Sequence, residues 1–213
     1  MVRKRLREAK EIVMETFNIH LTGVGGQGIG LLSEVILRAA DHAGHDVKGV
    51  DTHGLAQRGG IVVSQIRIGK TVFSPLIPAG TADLVIALER HEALRGLNGM
   101  LRDGGVLIYY NTVWQPLEVR LGQAGEAGLE VIAAECAKRS VTEYRVLDPS
   151  LVDARMQNMA ILAVVAEKRL IPGLDEGHFE KAMEDLMGSA MLEKNRRVFR
   201  SSVTRASISA CPV

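Results

Sequence analysis

The sequence predicts an α/β fold: a three-layer, Rossmann-like mixed sheet with a β-hairpin and C-terminal helices. Two observations lead to this prediction. A strand, a glycine turn and an amphipathic helix follow one another over residues 18–43, and short apolar strands alternate with helical patterns further on. At 213 residues the chain suits one domain. We expect a basic N-terminal extension (1–16), a single domain (17–200) and a flexible tail (201–213).

Composition excludes several classes of function. Lys and Arg total 26 against 25 Asp and Glu, so the net charge of +1 gives no global field for nucleic acid or an anionic membrane. The two cysteines, Cys136 and Cys211, form no CxxC pair, so this chain alone cannot build a zinc site or an iron–sulfur cluster. The chain shows neither a signal-peptide core nor an apolar run of membrane length, which predicts a cytoplasmic protein.

The first third of the domain is predicted to form a βαβ unit. A strand over residues 18–22 enters the turn GVGGQG, and a second strand is expected over residues 46–51. Between them, apolar residues recur at helical spacing and Gly44 marks the end of the helix; the apolar positions are Leu32, Val35, Ile36, Ala39 and Ala43.

The central region departs from a repeating βαβ pattern. After the second glycine-rich turn, HGLAQRGG, the runs IVVSQIRIG and TVFSP flank Gly69-Lys70, which predicts an antiparallel hairpin. A buried strand over residues 83–89, a helix over 92–101 and a strand following the Asp103-Gly104-Gly105 turn then resume the parallel pattern. The runs VIAAEC and EYRVLD mark two further elements, with GQAGEAG as a loop.

The last third is predicted to be helical. The stretch at residues 159–166 is apolar on every face, so it is buried either in the core or against a partner. A final helix is expected over residues 176–200.

The first glycine turn is a candidate anion site. Gly23, Gly25 and Gly28 satisfy GxGxxG between a strand and a helix, where backbone N–H groups and the helix N-terminus attract anions. Asp51 lies at the end of the second strand, where an acidic residue that binds a ribose is expected, and this favours a nicotinamide or flavin cofactor. The alternative is that the glycine turn serves only close packing of the helix on the strand. The intervening Gly26 and Gln27, and the hairpin that follows, weaken the nicotinamide interpretation.

The second turn supplies further candidates near the same place. Loops at neighbouring strand ends can face one crevice, and HGLAQRGG offers an imidazole, an amide, a guanidinium and two permissive glycines. These candidates are His53, Gln57, Arg58, Gly59 and Gly60.

Together, GVGGQGIGLLSEVILRAA and DTHGLAQRGGIVVSQIRIG resemble the gamma-type domain of the 2-oxoacid:ferredoxin oxidoreductases. The resemblance continues at ADLVIALE and QNMAILAVVA and covers about residues 18–200. Within the second turn, the His-Gly and Gln-Arg-Gly-Gly sequences are similar to those of the indolepyruvate branch of the family. It implies a subunit, inactive alone, of a heteromer that converts an aryl 2-oxoacid, coenzyme A and oxidised ferredoxin to an aryl-acetyl-CoA, carbon dioxide and reduced ferredoxin. It also implies thiamine diphosphate and iron–sulfur clusters on a large partner subunit, with no cofactor in this chain.

The resemblance leaves the residue roles open. Residues 25–28 and the helix after them would contact an anion or an amide near the subunit junction, which would belong to coenzyme A or to the partner's backbone. The alternative is that this turn has a purely structural role. Gln57 and Arg58 would hold a carboxylate or phosphate, or bind the partner. His53 is a proton carrier or a structural residue, with Asp51 as a neighbour that can orient it, and Asn158 caps its helix or reaches the same crevice. We assign no catalytic residue.

Two other functions fit the residues without the resemblance. A self-sufficient NAD(P)-binding oxidoreductase would use the GxGxxG turn and Asp51. A non-catalytic nucleotide-binding regulator would explain why the sequence shows no convincing nucleophile or metal set. Nucleotide binding by the isolated chain separates both from the heteromer hypothesis.

Overall fold

The computed structural model describes residues 16–53, 60–114, 125–151, 153–201 and 206–209. Its strands are β1 (Phe17–Val24), β2 (Val47–His53), β3 (Ile61–Ile68), β4 (Ala82–Ala87), β5 (Leu101–Tyr110), β6 (Thr142–Val146) and β7 (Ala206–Ser209). They form one seven-stranded sheet in the order β2-β3-β1-β4-β5-β6-β7. The predicted mixed α/β sheet is therefore confirmed.

The sheet has a parallel centre and antiparallel edges. Strands β1, β4, β5 and β6 are parallel neighbours. Strand β3 pairs antiparallel with both β1 and β2, so it lies between the two parallel strands of the first βαβ unit. At the other edge, β7 pairs antiparallel with β6.

Helices cover the sheet on two faces. They are α1 (Ile29–His42), α2 (Arg90–Gly99), α3 (Leu129–Lys138), α4 (Gln157–Glu167), α5 (Glu176–Leu186) and α6 (Ser189–Ser201), with a 3₁₀ turn at Ala154–Met156 before α4. One core joins α1, α4 and α5 to one face, and a second joins α2 and α3 to the other. None of these helices is long and apolar enough to cross a bilayer within the described ranges.

The apolar pattern of each helix decides where it packs. Helix α1 buries its predicted stripe, including Leu32, Val35 and Ile36. Helix α4 has no polar face, and every residue from Gln157 to Ala166 is buried within this chain. Of the two alternatives for this stretch, the structure selects core burial.

Three elements differ from the sequence prediction. The Gly69-Lys70 hairpin is wrong: the run after Lys70 forms no strand, and the antiparallel partner of β3 in the hairpin is β2. The predicted final helix is two helices, α5 and α6, separated at Met187-Gly188. Within the predicted flexible tail, Ala206–Ser209 form β7, since strand pairing with β6 satisfies their backbone groups.

Strand β5 also begins earlier than predicted. It includes Asp103 and Gly104, where Gly104 has a φ of +69° and the pairing with β4 shifts register. The glycines therefore form an irregularity inside the strand instead of a turn before it.

Candidate functional site

The candidate site lies where the strand order reverses. From β1 the chain crosses by α1 to β2 on one side, and from β4 it crosses by α2 to β5 on the other. Ligands of open α/β sheets bind outside the carboxyl ends of the strands at such a point. The first glycine turn follows β1 and residues 88–92 follow β4, so both lie at the carboxyl ends of neighbouring parallel strands.

Gln27 joins these two strand ends. Its Oε1 accepts a hydrogen bond from the N–H of Val24 at 2.7 Å, and its Nε2 donates to the carbonyl oxygen of Leu88 at 3.0 Å. The side chain is only 1% exposed. Gln27 was a candidate binding residue, but its amide is already engaged by backbone groups, so we assign it a structural role in shaping the turn.

The two glycine turns meet directly. The N–H of Gly25 donates to the carbonyl oxygen of Gly60 at 2.9 Å. The first turn is therefore in contact with the last residue of the second turn, Gly60. His53 ends β2, but its side chain lies outside the described residues, as do Gln57, Arg58 and Gly59.

Asn158 brings α4 to the same turn. Its Nδ2 donates to the carbonyl oxygen of Gly28 at 3.3 Å, and its Oδ1 accepts from the N–H of Met159 at 2.8 Å. Gly28 has a φ of +81°, and a Cβ there would lie 2.6 Å from Asn158 Nδ2. Asn158 thus reaches the crevice as well as satisfying an N–H at the start of its own helix.

The glycines of the turn have different roles. A Cβ on Gly23 would lie 2.9 Å from Gln27 Oε1, so Gly23 permits close packing. Gly26 has a φ of +99° and is exposed, and a Cβ on Gly26 or on Gly30 would meet no atom of the described residues within 4 Å. Backbone is therefore accessible at Gly26 and in the first turn of α1.

The N-terminus of α1 is electrostatically uncompensated within the described residues. Gly28 is its N-cap and offers no side-chain acceptor, and the first turn holds no acidic residue. The N–H groups of Gly25 and Gln27 are committed to Gly60 and Val24. The remaining N–H groups and the helix dipole make this end suited to an anionic group.

Asp51 is engaged elsewhere. Its Oδ1 accepts hydrogen bonds from the hydroxyl groups of Ser33 in α1 and Ser64 in β3. A ribose-binding acid must leave its oxygens to a sugar, whereas this carboxylate links α1 to the strands. The arrangement gives no support to the nicotinamide alternative.

The end of β4 supplies site residues that the sequence analysis missed. Glu89 is fully buried; its Oε1 caps α2 by accepting from the N–H of Glu92, and its Oε2 lies 3.1 Å from His91 Nδ1. The N–H of Ala127 donates to His91 Nε2 at 3.1 Å, so Nε2 is the acceptor and Nδ1 carries the proton. His91 thus holds the segment before α3 against the N-terminus of α2.

A second buried carboxylate lies one turn away. Glu92 is 1% exposed, and its Oε2 accepts from the Thr22 hydroxyl at 2.7 Å while Arg95 Nε lies 3.2 Å from Oε1. Burial raises the pKa of Glu92, against the lowering effects of the Thr22 hydrogen bond and the Arg95 charge. The sequence signal was available: polar ERHE directly follows an apolar strand.

The arrangement favours binding over proton transfer. Within the described ranges no group of three or more His, Cys, Asp or Glu side chains is placed to hold a metal ion. The ring nitrogens of His91 are both engaged, by Glu89 and Ala127. What the site offers is backbone that is exposed at Gly26 and half-buried at Gly30, beside a helix N-terminus.

Sequence comparison agrees with this architecture. Residues 18–204 match the profile of the family described as pyruvate ferredoxin/flavodoxin oxidoreductase. The chain is 34% identical over 200 residues to the indolepyruvate oxidoreductase subunit IorB of Archaeoglobus fulgidus, covering 89% of this chain and 94% of that protein.

Solved structures share the fold at lower identity. The pyruvate oxidoreductase subunit PORC of Thermotoga maritima superposes with a TM-score of 0.61 at 19% identity, covering 92% of this chain and 99% of that one. The 2-oxoglutarate:ferredoxin oxidoreductase of Magnetococcus marinus, solved with 2-oxoglutarate, coenzyme A and succinyl-CoA, gives 0.65 at 19% identity. There the match covers 90% of this chain and 31% of the longer one.

Proposed function

Because the chain belongs to the pyruvate ferredoxin/flavodoxin oxidoreductase family, we propose that it is the small subunit of an indolepyruvate:ferredoxin oxidoreductase. The observation that most supports this is the near full-length match to the Archaeoglobus indolepyruvate oxidoreductase subunit. The complex would convert an aryl 2-oxoacid, coenzyme A and oxidised ferredoxin to an aryl-acetyl-CoA, carbon dioxide and reduced ferredoxin, in the cytoplasm.

The cofactors of this reaction belong to the large subunit in our proposal. An iron–sulfur cluster takes about four thiolates, whereas this chain has two cysteines, and Cys136 is buried in α3 with 2% exposure. Thiamine diphosphate, bound to the large subunit, would supply the carbanion chemistry. The present chain would contribute binding surface and no redox group.

The contribution of this chain would centre on the first glycine turn. The accessible backbone at Gly26 and Gly30, together with the uncompensated end of α1, suits an anionic group of coenzyme A or a carbonyl-rich segment of the partner. Gly25, Gly28 and Asn158 would keep that backbone in place through their hydrogen bonds. From the second turn, His53, Gln57, Arg58, Gly59 and Gly60 would extend the same surface.

The test is anaerobic purification of the tagged chain from its own cells. The eluate is assayed for reduction of a viologen dye that requires both indolepyruvate and coenzyme A. We expect activity to accompany a large iron–sulfur subunit and to be missing from the chain made alone.

Two results would contradict the proposal. An eluate without a partner and without 2-oxoacid oxidation would remove the assigned function. Saturable binding of NAD or NADP to the isolated chain would instead favour the self-sufficient oxidoreductase, and binding of another nucleotide without turnover would favour the regulator.

A further inference from the structure

One face of the β2–β3 hairpin has no helix packed on it among the residues that the structure describes. Side chains at odd positions of β2 and even positions of β3 point to α1: Gly49 lies against Leu37, and Asp51 bonds to Ser33. The opposite, outer face carries Lys48, Val50, Thr52, Ile61 and Val63, together with Gln65 and Arg67, which bind the segment that follows β3.

No comparable helix covers this outer face within the described residues. On that side of the sheet α2 packs on β1, β4 and β5, and α3 on β6. Ile61 is 41% exposed, and Val50 and Val63 are partly exposed. In the described part of the chain, this end of the sheet therefore has a helix on one face only, and apolar β-branched side chains lie on the other face.

The segment after β3 places two larger apolar side chains beside the hairpin. Phe73 is 92% exposed and Leu76 is 61% exposed. Full exposure of a Phe on a stable protein has a cost in hydration, so such a residue is a candidate for contact with another surface.

This segment is held in place by the hairpin. Arg67 NH1 donates to the carbonyl oxygens of Ser74 at 3.1 Å and of Leu76 at 3.3 Å, and the N–H of Ile77 donates to Gln65 Oε1 at 2.6 Å. Val72 and Ile77 are buried on either side of the exposed pair. Because the backbone is already ordered, binding through Phe73 and Leu76 would lose little conformational entropy.

We propose that the outer face of the hairpin, with Phe73 and Leu76 as its anchors, is the docking surface for the large subunit. This inference rests on the proposed function. The hairpin ends at the second glycine turn, and Gly60 is bonded to Gly25, so a partner seated here extends to the candidate site. The surface therefore places the partner's chemistry next to the glycine turns.

The charges favour a different chain over a second copy of this one. Among the described residues, the basic Lys48, Arg67 and Lys70 and the acidic Asp46 lie at or beside the outer face. A two-fold contact through this surface would bring like charges together, because an isologous interface uses the same patch twice. The partner surface that fits is apolar at its centre with an acidic rim.

The test uses the full chain and the large subunit of the same organism under anaerobic conditions. In the variant Phe73→Ser/Leu76→Ser, both changes are at exposed positions, so the melting temperature should stay unchanged. The dissociation constant for the large subunit should rise about tenfold or more, and excess small subunit should restore activity. Met191→Ser is the matched control, since Met191 is 44% exposed on α6, away from the hairpin.

Other outcomes separate the two proposals. If the wild-type chain binds and supports oxidation and the double variant binds equally well, the docking surface is wrong and the proposed function stands. If the wild-type chain neither binds the large subunit nor supports oxidation, both are overturned. If the double variant instead converts a dimer of this chain to a monomer while binding to the large subunit is unchanged, the surface serves a second copy and the inference fails.

Discussion

The side-chain amide of Asn158 donates to the carbonyl oxygen of Gly28 across 130 positions of sequence. This bond fixes the start of α4 against the N-cap of α1, so two helices that share a core also share the rim of the candidate site. A residue from the last third of the chain therefore stabilises the glycine turn, and substitutions at that residue can test the geometry of the turn.

A double-mutant cycle tests this contact. Gly28→Ala should destabilise the chain by about 2–4 kcal/mol, because it combines a positive φ with a Cβ too close to Asn158. Asn158→Ala should cost about 1–2 kcal/mol. The double variant should be less destabilised than the sum of the two, since Nδ2 is no longer in the way. Urea unfolding measures all three.

Gly26→Ala is the matched control for that cycle. Its φ is also positive, but no atom of the described residues lies within 4 Å of the added Cβ, so only the cost of the left-handed backbone, about 1–2 kcal/mol, applies. If Gly26→Ala and Gly28→Ala lower the free energy of unfolding equally, the contact between Gly28 and Asn158 is contradicted.

Gly30→Ala should separate stability from activity. Alanine suits a helix better than glycine, so the isolated chain should gain about 0.5–1 kcal/mol, measured by thermal unfolding. If the backbone at Gly30 contacts a ligand or partner, the same variant should lower the activity of the complex, because the new methyl group would occupy space that the described residues leave open. Gly99→Ala, also in open space but in α2, should leave activity unchanged.

Gln27→Met should weaken the link between β1 and β4. The substitution keeps the side-chain volume but leaves the N–H of Val24 and the carbonyl oxygen of Leu88 buried without partners. We expect a loss of about 2–4 kcal/mol in urea unfolding and faster hydrogen exchange at the carboxyl end of β1. A near-neutral variant would show that water replaces the amide.

His20 should make stability depend on pH. It is 6% exposed in β1, its Nδ1 has no partner within the described residues, and burial lowers its pKa to about 4. The unfolded chain, with a pKa near 6.5, binds the proton first as pH falls, so stability declines from about pH 6.5 towards pH 4.

The variant His20→Gln should remove that decline. The comparison is made as a difference between variant and wild type, because the raised pKa of Glu92 acts in the opposite direction: protonation of Glu92 in the folded state favours folding as pH falls. Urea midpoints from pH 7 to pH 4 measure the effect, and parallel curves for the two proteins would contradict it.

Local sequence patterns were sufficient for several elements. The stripe of α1, the buried strand β4 and the all-apolar α4 were predicted because side-chain period and hydrophobicity are local properties. The glycine turn and its position between strand and helix were predicted for the same reason. Gly188, which divides α5 from α6, was visible in the sequence but was not used.

Only the tertiary structure decided the long-range relationships. The insertion of β3 between β1 and β2, and the pairing of β7 with β6, depend on hydrogen bonds between distant segments that no local pattern encodes. The same holds for the site: sequence proposed Gln27 and Asn158 as candidates, but their partners, Leu88 and Gly28, follow from packing. By itself the sequence determined which residues prefer helix, strand or turn. The tertiary fold decided which turns meet, because every buried backbone N–H and carbonyl group needs a hydrogen-bond partner in the same structure.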